Sequence, residues 1–287
     1  MANTNLMRRC LLPLLGLIGM AAPTFAGESL SSSGMTKGQI EDLGEIVEAE
    51  GSVASKFRSS VTVKGDYTSN ALLTGRNDSS DLIFLPVIDI GYTQPLGPHF
   101  SLDIAAKGEL GLYGDFDQRD FVGYSLKTTL DWHPKQNAPR YYVGLEPYRY
   151  DSLDLGEMIS QAIGFYAGTD WGYAFNNGHS LFFTGYTFAA YIADPSSDTR
   201  NQHRLVIGVS HQFRDKLTGS LFYAWQYSDF THFDRHDSKH LIGLNLIYQF
   251  QNNWFGTLSG SFADNDSDIN TATYQAAGAS IGVTYQF

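Results

Sequence analysis

The last residues of the chain alternate with a period of two. Ala277, Ala279, Ile281, Val283, Tyr285 and Phe287 fall on one face, and Ala276, Gly278, Ser280, Gly282, Thr284 and Gln286 on the other. Successive side chains of a strand point to opposite faces, so one face suits lipid and the other suits water. The pattern recurs in Leu244, Leu246, Tyr248 and Phe250 against Gly243, Asn245 and Gln249, and in Leu205, Ile207, Val209 and Phe213 against Arg204, Gly208, Ser210 and Gln212. Val122, Tyr124, Leu126, Leu130 and Trp132 likewise oppose Gly123, Ser125, Lys127, Thr129 and Asp131. About twelve such segments follow one another, each with roughly the ten residues of a tilted membrane strand. Their cores begin near Val61, Leu82, Phe100, Phe121, Tyr141, Ala162, Leu181, Arg204, Leu217, Leu241, Trp254 and Tyr274. The segment from Leu181 to Tyr191 alternates least cleanly, because Phe182-Phe183 interrupts it.

The connections fall into two sets. Pro95–Pro98, Asn176–Gly178, Arg214–Lys216 and Gln251–Asn253 are short and rich in turn formers. Gly114–Asp120, Ala193–Gln202, Ser228–Ser238 and Ala263–Thr271 are polar and mostly longer, with Asp-Asn-Asp-Ser-Asp at 264–268. Short turns at one end and longer loops at the other describe an up-and-down membrane barrel. An even strand count puts both chain ends, and with them the short turns, in the periplasm. Aromatics gather where strands end: Trp132, Tyr173, Phe213, Tyr248, Phe250, Trp254, Tyr285 and Phe287 near the short turns, Tyr113, Tyr227 and Phe230 near the loops. A soluble sandwich has no reason to collect aromatics at both ends, whereas a barrel uses them at two membrane interfaces. The expected fold is all-β: a transmembrane antiparallel barrel over residues 53–287.

The start of the chain is different. Arg8 and Arg9, the apolar run Leu11–Ala22 and the small residues before Gly27 make residues 1–26 a secretory signal peptide. Cys10, the only cysteine, lies within it, so the exported chain has none with which to form a disulfide. Residues 27–52 read as a periplasmic segment with a short helix. Thr36 and Gln39 match a capping box, and Ile40, Leu43, Ile46 and Val47 fall at helical spacing. That helix either leads into the barrel or enters it as a plug. Thirty acidic residues against nineteen basic ones make nucleic acid a poor partner, the more so once Arg8 and Arg9 are removed.

The ending Ile281-Gly-Val-Thr-Tyr-Gln-Phe287 resembles the terminal signal of bacterial outer-membrane barrels, and Gly65–Asn70 resembles openings found in such proteins. With the leader and the strand pattern, the resemblance to porin-like outer-membrane proteins covers nearly the whole chain. It implies residence in the bacterial outer membrane, lipid and lipopolysaccharide as surroundings, and recognition of Tyr285 and Phe287 by the barrel assembly machinery.

Carried inward, the alternation aims Lys64, Asp66, Asp89, Asp103, Lys107, Glu109, Lys127, Asp131, Glu146 and Asp170 at the lumen from the first six strands. From the last six it gives clearly only Arg204 among charged residues. Asp89, Asp103, Asp131 and Asp170 lie toward the short-turn end, where an acidic arc favours cations. The competing expectation is that acids and lysines pair and fill a narrow barrel. His232, His236 and His240, with Asp234 and Asp237, have the donors a transition metal uses, and His236 with Ser238 has the spacing of a hydrolase pair. Solvated loop histidines explain the same residues. Asp264–Asp268 resembles a calcium-loop fragment without the glycine and closing glutamate. The leading reading is a non-enzymatic porin or channel for small solutes with a mild cation preference and no cofactor. The alternatives are a structural or assembly barrel with a plugged lumen and an outer-membrane hydrolase built on loop residues.

Overall fold

The computed structural model describes residues 56–287, apart from 72, 74–78, 136–137, 176–178 and 233. The expected leader, the helical segment 27–52 and the turn Asn176–Gly178 lie outside the described residues. Twelve antiparallel strands close into one barrel in sequence order. They are β1 (Lys56–Thr68), β2 (Asp81–Pro95), β3 (Phe100–Tyr113), β4 (Phe121–Trp132), β5 (Arg140–Ser152), β6 (Met158–Ala174), β7 (Ser180–Asp194), β8 (Arg200–Arg214), β9 (Leu217–Phe230), β10 (Arg235–Gln251), β11 (Trp254–Ser267) and β12 (Tyr274–Gln286). Each expected strand core falls inside one of them.

The alternation read from the sequence is the alternation seen. Along β10, Ile242, Leu244 and Tyr248 are exposed while Gly243, Asn245 and Ile247 are buried. The exposed set is apolar: Ile242 is 55 %, Leu258 54 % and Ile281 67 % accessible. A water-soluble monomer does not carry a continuous apolar band around its circumference. Among the described residues, buried apolar side chains include a cluster of Ile83, Leu85, Tyr113 and Phe121. The exposed apolar band on the outer face is one that lipid can cover.

Two aromatic belts bound that band. Phe100, Trp132 and Tyr141 pack in sequence across β3, β4 and β5 at the short-turn end, as do Trp254, Tyr285 and Phe287 near the seam. At the loop end Trp225, Tyr227 and His236 stack across β9 and β10. A strand running from Phe250 to His240 at a tilt of ~40° rises about 25 Å, the height of the apolar band of an outer-membrane barrel.

Two expectations about the loops are corrected. The stretch Ser228–Ser238 is a hairpin whose strands run to Phe230 and resume at Arg235. The stretch Ala263–Thr271 is mostly strand, since β11 continues to Ser267. The strand is extended there: Asp264 and Asp266 share the exposed face, and Asn265 between them is buried with its amide donating to the Ala272 carbonyl at 2.8 Å. An extended strand does not wrap its side chains and carbonyls around a calcium ion as a loop does.

Prolines mark the ladder's weak points. Pro86 and Pro147 lie inside β2 and β5 without a donor N–H. The β2–β3 pairing breaks between Phe84 and Val87, and the β4–β5 pairing breaks between Tyr148 and Leu145.

Inside, rings lie flat over glycines of neighbouring strands. A Cβ on Gly243 would overlap the Phe222 ring, and one on Gly208 would overlap that of Phe183. Gly243→Ala is expected to lower stability by about 1–3 kcal/mol through overpacking. Made in a Phe222→Ala background, the same change is expected to cost far less. Denaturant midpoints of the four proteins of this cycle measure the coupling, and equal costs in both backgrounds would contradict it.

The seam joins β1 to β12 from Ser60↔Gln286 to Thr68↔Gly278, and the Phe287 N–H donates to the Ser59 carbonyl at 3.0 Å beyond it. Deleting Phe287 removes that bond and the Tyr285 ring contact. Less heat-modifiable barrel on unboiled gels is the expected result; an undiminished folded band would contradict the importance of this terminus.

Candidate functional site: the inner face of the barrel

The pleat aims charged side chains inward, and the structure pairs most of them. At the short-turn end Arg58 grips Asp103 with both terminal nitrogens, at 2.6 and 2.9 Å, and the Thr93 hydroxyl donates to the same carboxylate at 2.8 Å. The guanidinium lies flat against β2, where a Cβ on Gly91 would sit 2.5 Å from its Cζ. Arg140 donates to Asp170 at 2.8 Å, stands 3.5 Å from Asp131 and packs 5.0 Å from the centre of the Tyr142 ring. Register explains this: Arg140 is directly opposite Asp170, and Asp131 is opposite Tyr142 on the other side. One buried guanidinium thus serves two carboxylates, as its planar fork of donors permits.

Farther along the lumen, Lys64 meets Asp66 at 3.2 Å and Lys107 meets Glu109 at 2.7 Å, with the Tyr150 hydroxyl donating to Glu109. Asp89 is buried and lies directly opposite Lys107 across the β2–β3 ladder. Lys127 lies over the Tyr166 ring, 5.2 Å from its centre. Glu146 is half-buried on the inner face of β5, and Arg204 faces inward between Thr187 and Gln226.

Of the four acids expected to form an arc, Asp103, Asp131 and Asp170 pair with arginines rather than the lysines weighed from the sequence, and Asp89 stands opposite Lys107 in the ladder. Arg58 and Arg140 stand at or just inside strand starts, where the sequence pattern had not reached. The neutral wall also needs correction. Arg200, 2 % exposed, packs 4.6 Å from the Tyr191 ring centre and 5.8 Å from that of Phe230. Arg235 lies over Phe230 and pairs with Asp237. Together with Lys239 these charges occupy the loop end of β8 and β10, in stretches read as loop. Below them β8–β12 present small polar groups such as Ser210, Ser220, Asn245 and Ser280.

The histidines do not gather. His232 lies in the turn before β10, whereas His236 and His240 share the outer face of that strand, about 13 Å apart at the usual rise. His236 Nδ1 is 3.1 Å from the Tyr227 hydroxyl and 3.4 Å from Asp229, and His240 Nδ1 is 2.7 Å from the Tyr223 hydroxyl. Ser238 accepts a bond from the Trp225 indole at 3.1 Å. His236 and Ser238 are therefore engaged with β9 residues of the outer belt instead of with each other. Among the described residues no group of three or more His, Cys, Asp or Glu could hold a metal ion.

The comparisons with known proteins bear on the barrel fold. The family model described as Putative beta-barrel porin 2 matches residues 182–287. The COG4313 outer membrane channel from Pseudomonas putida F1 superposes with a TM-score of 0.57 at 9 % identity, over 84 % of this chain and 98 % of that one. The translocator domain of the autotransporter NalP from Neisseria meningitidis matches at 13 % identity, TM-score 0.48, over 93 % and 100 % of the two chains. A KdgM porin matches at 12 % identity, TM-score 0.47, over 79 % and 99 %. No curated protein matches. The chain is a closed twelve-stranded β-barrel of the bacterial outer membrane, and its C-terminal part, residues 182–287, is similar to the porin family.

Removing Arg140 leaves two buried carboxylates facing each other without their shared cation. Breaking a buried pair costs about 3–5 kcal/mol, so Arg140→Gln is expected to lower the unfolding midpoint sharply. Adding Asp131→Asn and Asp170→Asn should recover much of the loss. Urea unfolding of the barrel in lipid vesicles reads this directly, and an unchanged midpoint in Arg140→Gln would remove the pairing from the account.

Proposed function

We propose that this barrel is a passive, non-enzymatic channel for small polar solutes, with the short-turn end in the periplasm and the loop end at the cell surface. The observation that carries the reading is the inner face itself. Twelve strands spaced about 4.8 Å apart and tilted ~40° enclose a backbone cylinder of about 12 Å radius, wider than the eight-stranded barrels that side chains fill. Within it, the rings of Phe183 and Phe222 lie against the wall over glycines, and the long charged side chains are held in pairs along it. The cation preference is weak, because Arg58 and Arg140 offset the acids of the periplasmic end. The likeness to the COG4313 channel supports the fold on which this rests.

Conductance in planar bilayers separates this reading from a plugged structural barrel. Discrete steps are expected, with a small reversal potential toward cations that grows at low salt, where the Debye length is about 30 Å at 0.01 M. A heat-modifiable barrel that inserts but passes no current would favour the plugged alternative. The orientation is tested separately: an epitope tag at Asp266 should be reached by external antibody on intact cells. Access only after permeabilisation would reverse the assignment of the two ends.

A further inference from the structure

A cleft of about 500 Å³ opens on the outside of the barrel at the short-turn rim, between the β8–β9 and β10–β11 turns. Its lining has two parts. Phe250, Trp254 and Tyr285 supply an aromatic floor, and Lys216, Gln251, Asn252 and Asn253 supply a polar rim. The floor is held in shape. The Phe250 ring lies over Gly256, where a Cβ would stand 2.7 Å from its Cε1, and Trp254 packs 4.9 Å from Tyr285.

The rim is equally defined by what its main chain already does. The Lys216 and Asn253 carbonyls accept the Gln249 and Gln286 N–H groups, each at 2.9 Å, and the Asn252 carbonyl accepts from the Gln249 amide at 3.1 Å. Strand ends therefore use these acceptors. The Lys216 ammonium and the side-chain amides of Gln251, Asn252 and Asn253 make no hydrogen bond or ion pair with the described residues. What the cleft offers is one positive charge and several N–H donors above a bed of rings.

Ammonium and amide N–H groups suit the oxygens of a phosphate ester, while aromatic rings at a membrane interface suit glycerol and the first methylenes of an acyl chain. The two chemistries occur in the order in which a leaflet presents them, phosphate at the rim and hydrocarbon below. We propose that the cleft is a binding site for one glycerophospholipid of the inner leaflet, its headgroup phosphate on Lys216 and the rim amides and its chains across Phe250, Trp254 and Tyr285. The proposal rests on the orientation given above and is independent of whether the lumen conducts.

The test uses the full barrel extracted in mild detergent, with native mass spectrometry reading retained lipid. Phosphatidylglycerol is titrated against diacylglycerol, which lacks the phosphate, and against inorganic phosphate as competitor. One phosphatidylglycerol per barrel is expected, with diacylglycerol weaker and inorganic phosphate unable to displace the lipid. Losing a charge-assisted contact in Lys216→Gln should weaken retention about tenfold. Gly256→Ala, which pushes the Phe250 ring into the cleft, should also lower retention. Heat modifiability on unboiled gels establishes that both variants are folded. Equal retention by the wild type and both folded variants overturns the proposal, as does diacylglycerol binding as tightly as phosphatidylglycerol. Cross-linking of the rim to a periplasmic protein, with no lipid retained by the wild type, also overturns it by giving the cleft a different occupant.

Discussion

A backbone N–H or C=O that enters hydrocarbon has no water to pair with, and each unsatisfied group costs several kcal/mol. A sheet can cross a membrane only if it has no edges. The pairing of β1 with β12 satisfies that constraint here, and the rest of the molecule follows from it. Closure with an even number of strands puts both ends of the described barrel at the same rim. It fixes which side chain of each pair faces lipid, because a slip of one residue would exchange the two faces along the whole strand. It also permits Pro86 and Pro147 inside strands, since a break in one ladder is held by closed neighbours on both sides.

The outer face is uniform because lipid is uniform, and it bears little information about function beyond its depth. The inner face is where residues differ. Arginines at the strand starts reach acids on other strands: Arg58 on β1 crosses β2 to Asp103 on β3, and a single guanidinium on Arg140 joins β4, β5 and β6 through Asp131 and Asp170. Glycines opposite large rings do complementary work. They allow bulk to lie along the wall rather than across the lumen, so a strand can carry phenylalanine inside without its ring standing upright. Buried ion pairs cost desolvation that hydrophobic replacements avoid. Their repeated use sets this face apart from the apolar outer one.

Much of the architecture was legible because period-two alternation is a local signal. The twelve strand cores, their order, the two kinds of connection and the inward placement of Asp103, Lys107, Asp131, Glu146 and Asp170 all follow from neighbouring residues. What escaped was long-range or terminal. Arg58 and Asp103 meet across the barrel's first strands, and nothing in the spacing of either names the other. Arg200, Arg235 and Asp237 were hidden because polar strand ends beyond the membrane read like loop. For the same reason His236 and Ser238 looked like loop residues available for chemistry, whereas the strand carries both to the outer face, where Tyr227 and Trp225 hold them. Partner choice depends on register between strands, and register is set by the closed sheet as a whole.

The central claim is that one face of every strand meets lipid and the other does not. Scanning single spin labels through residues 241–248 of β10 in vesicles, with oxygen as the lipid-soluble relaxant, tests it most directly. Labels at 242, 244, 246 and 248 should show high oxygen accessibility and those at 241, 243, 245 and 247 low accessibility, in strict alternation. A flat profile, or accessibility to water-soluble reagents at the even positions, would contradict a membrane barrel with this register.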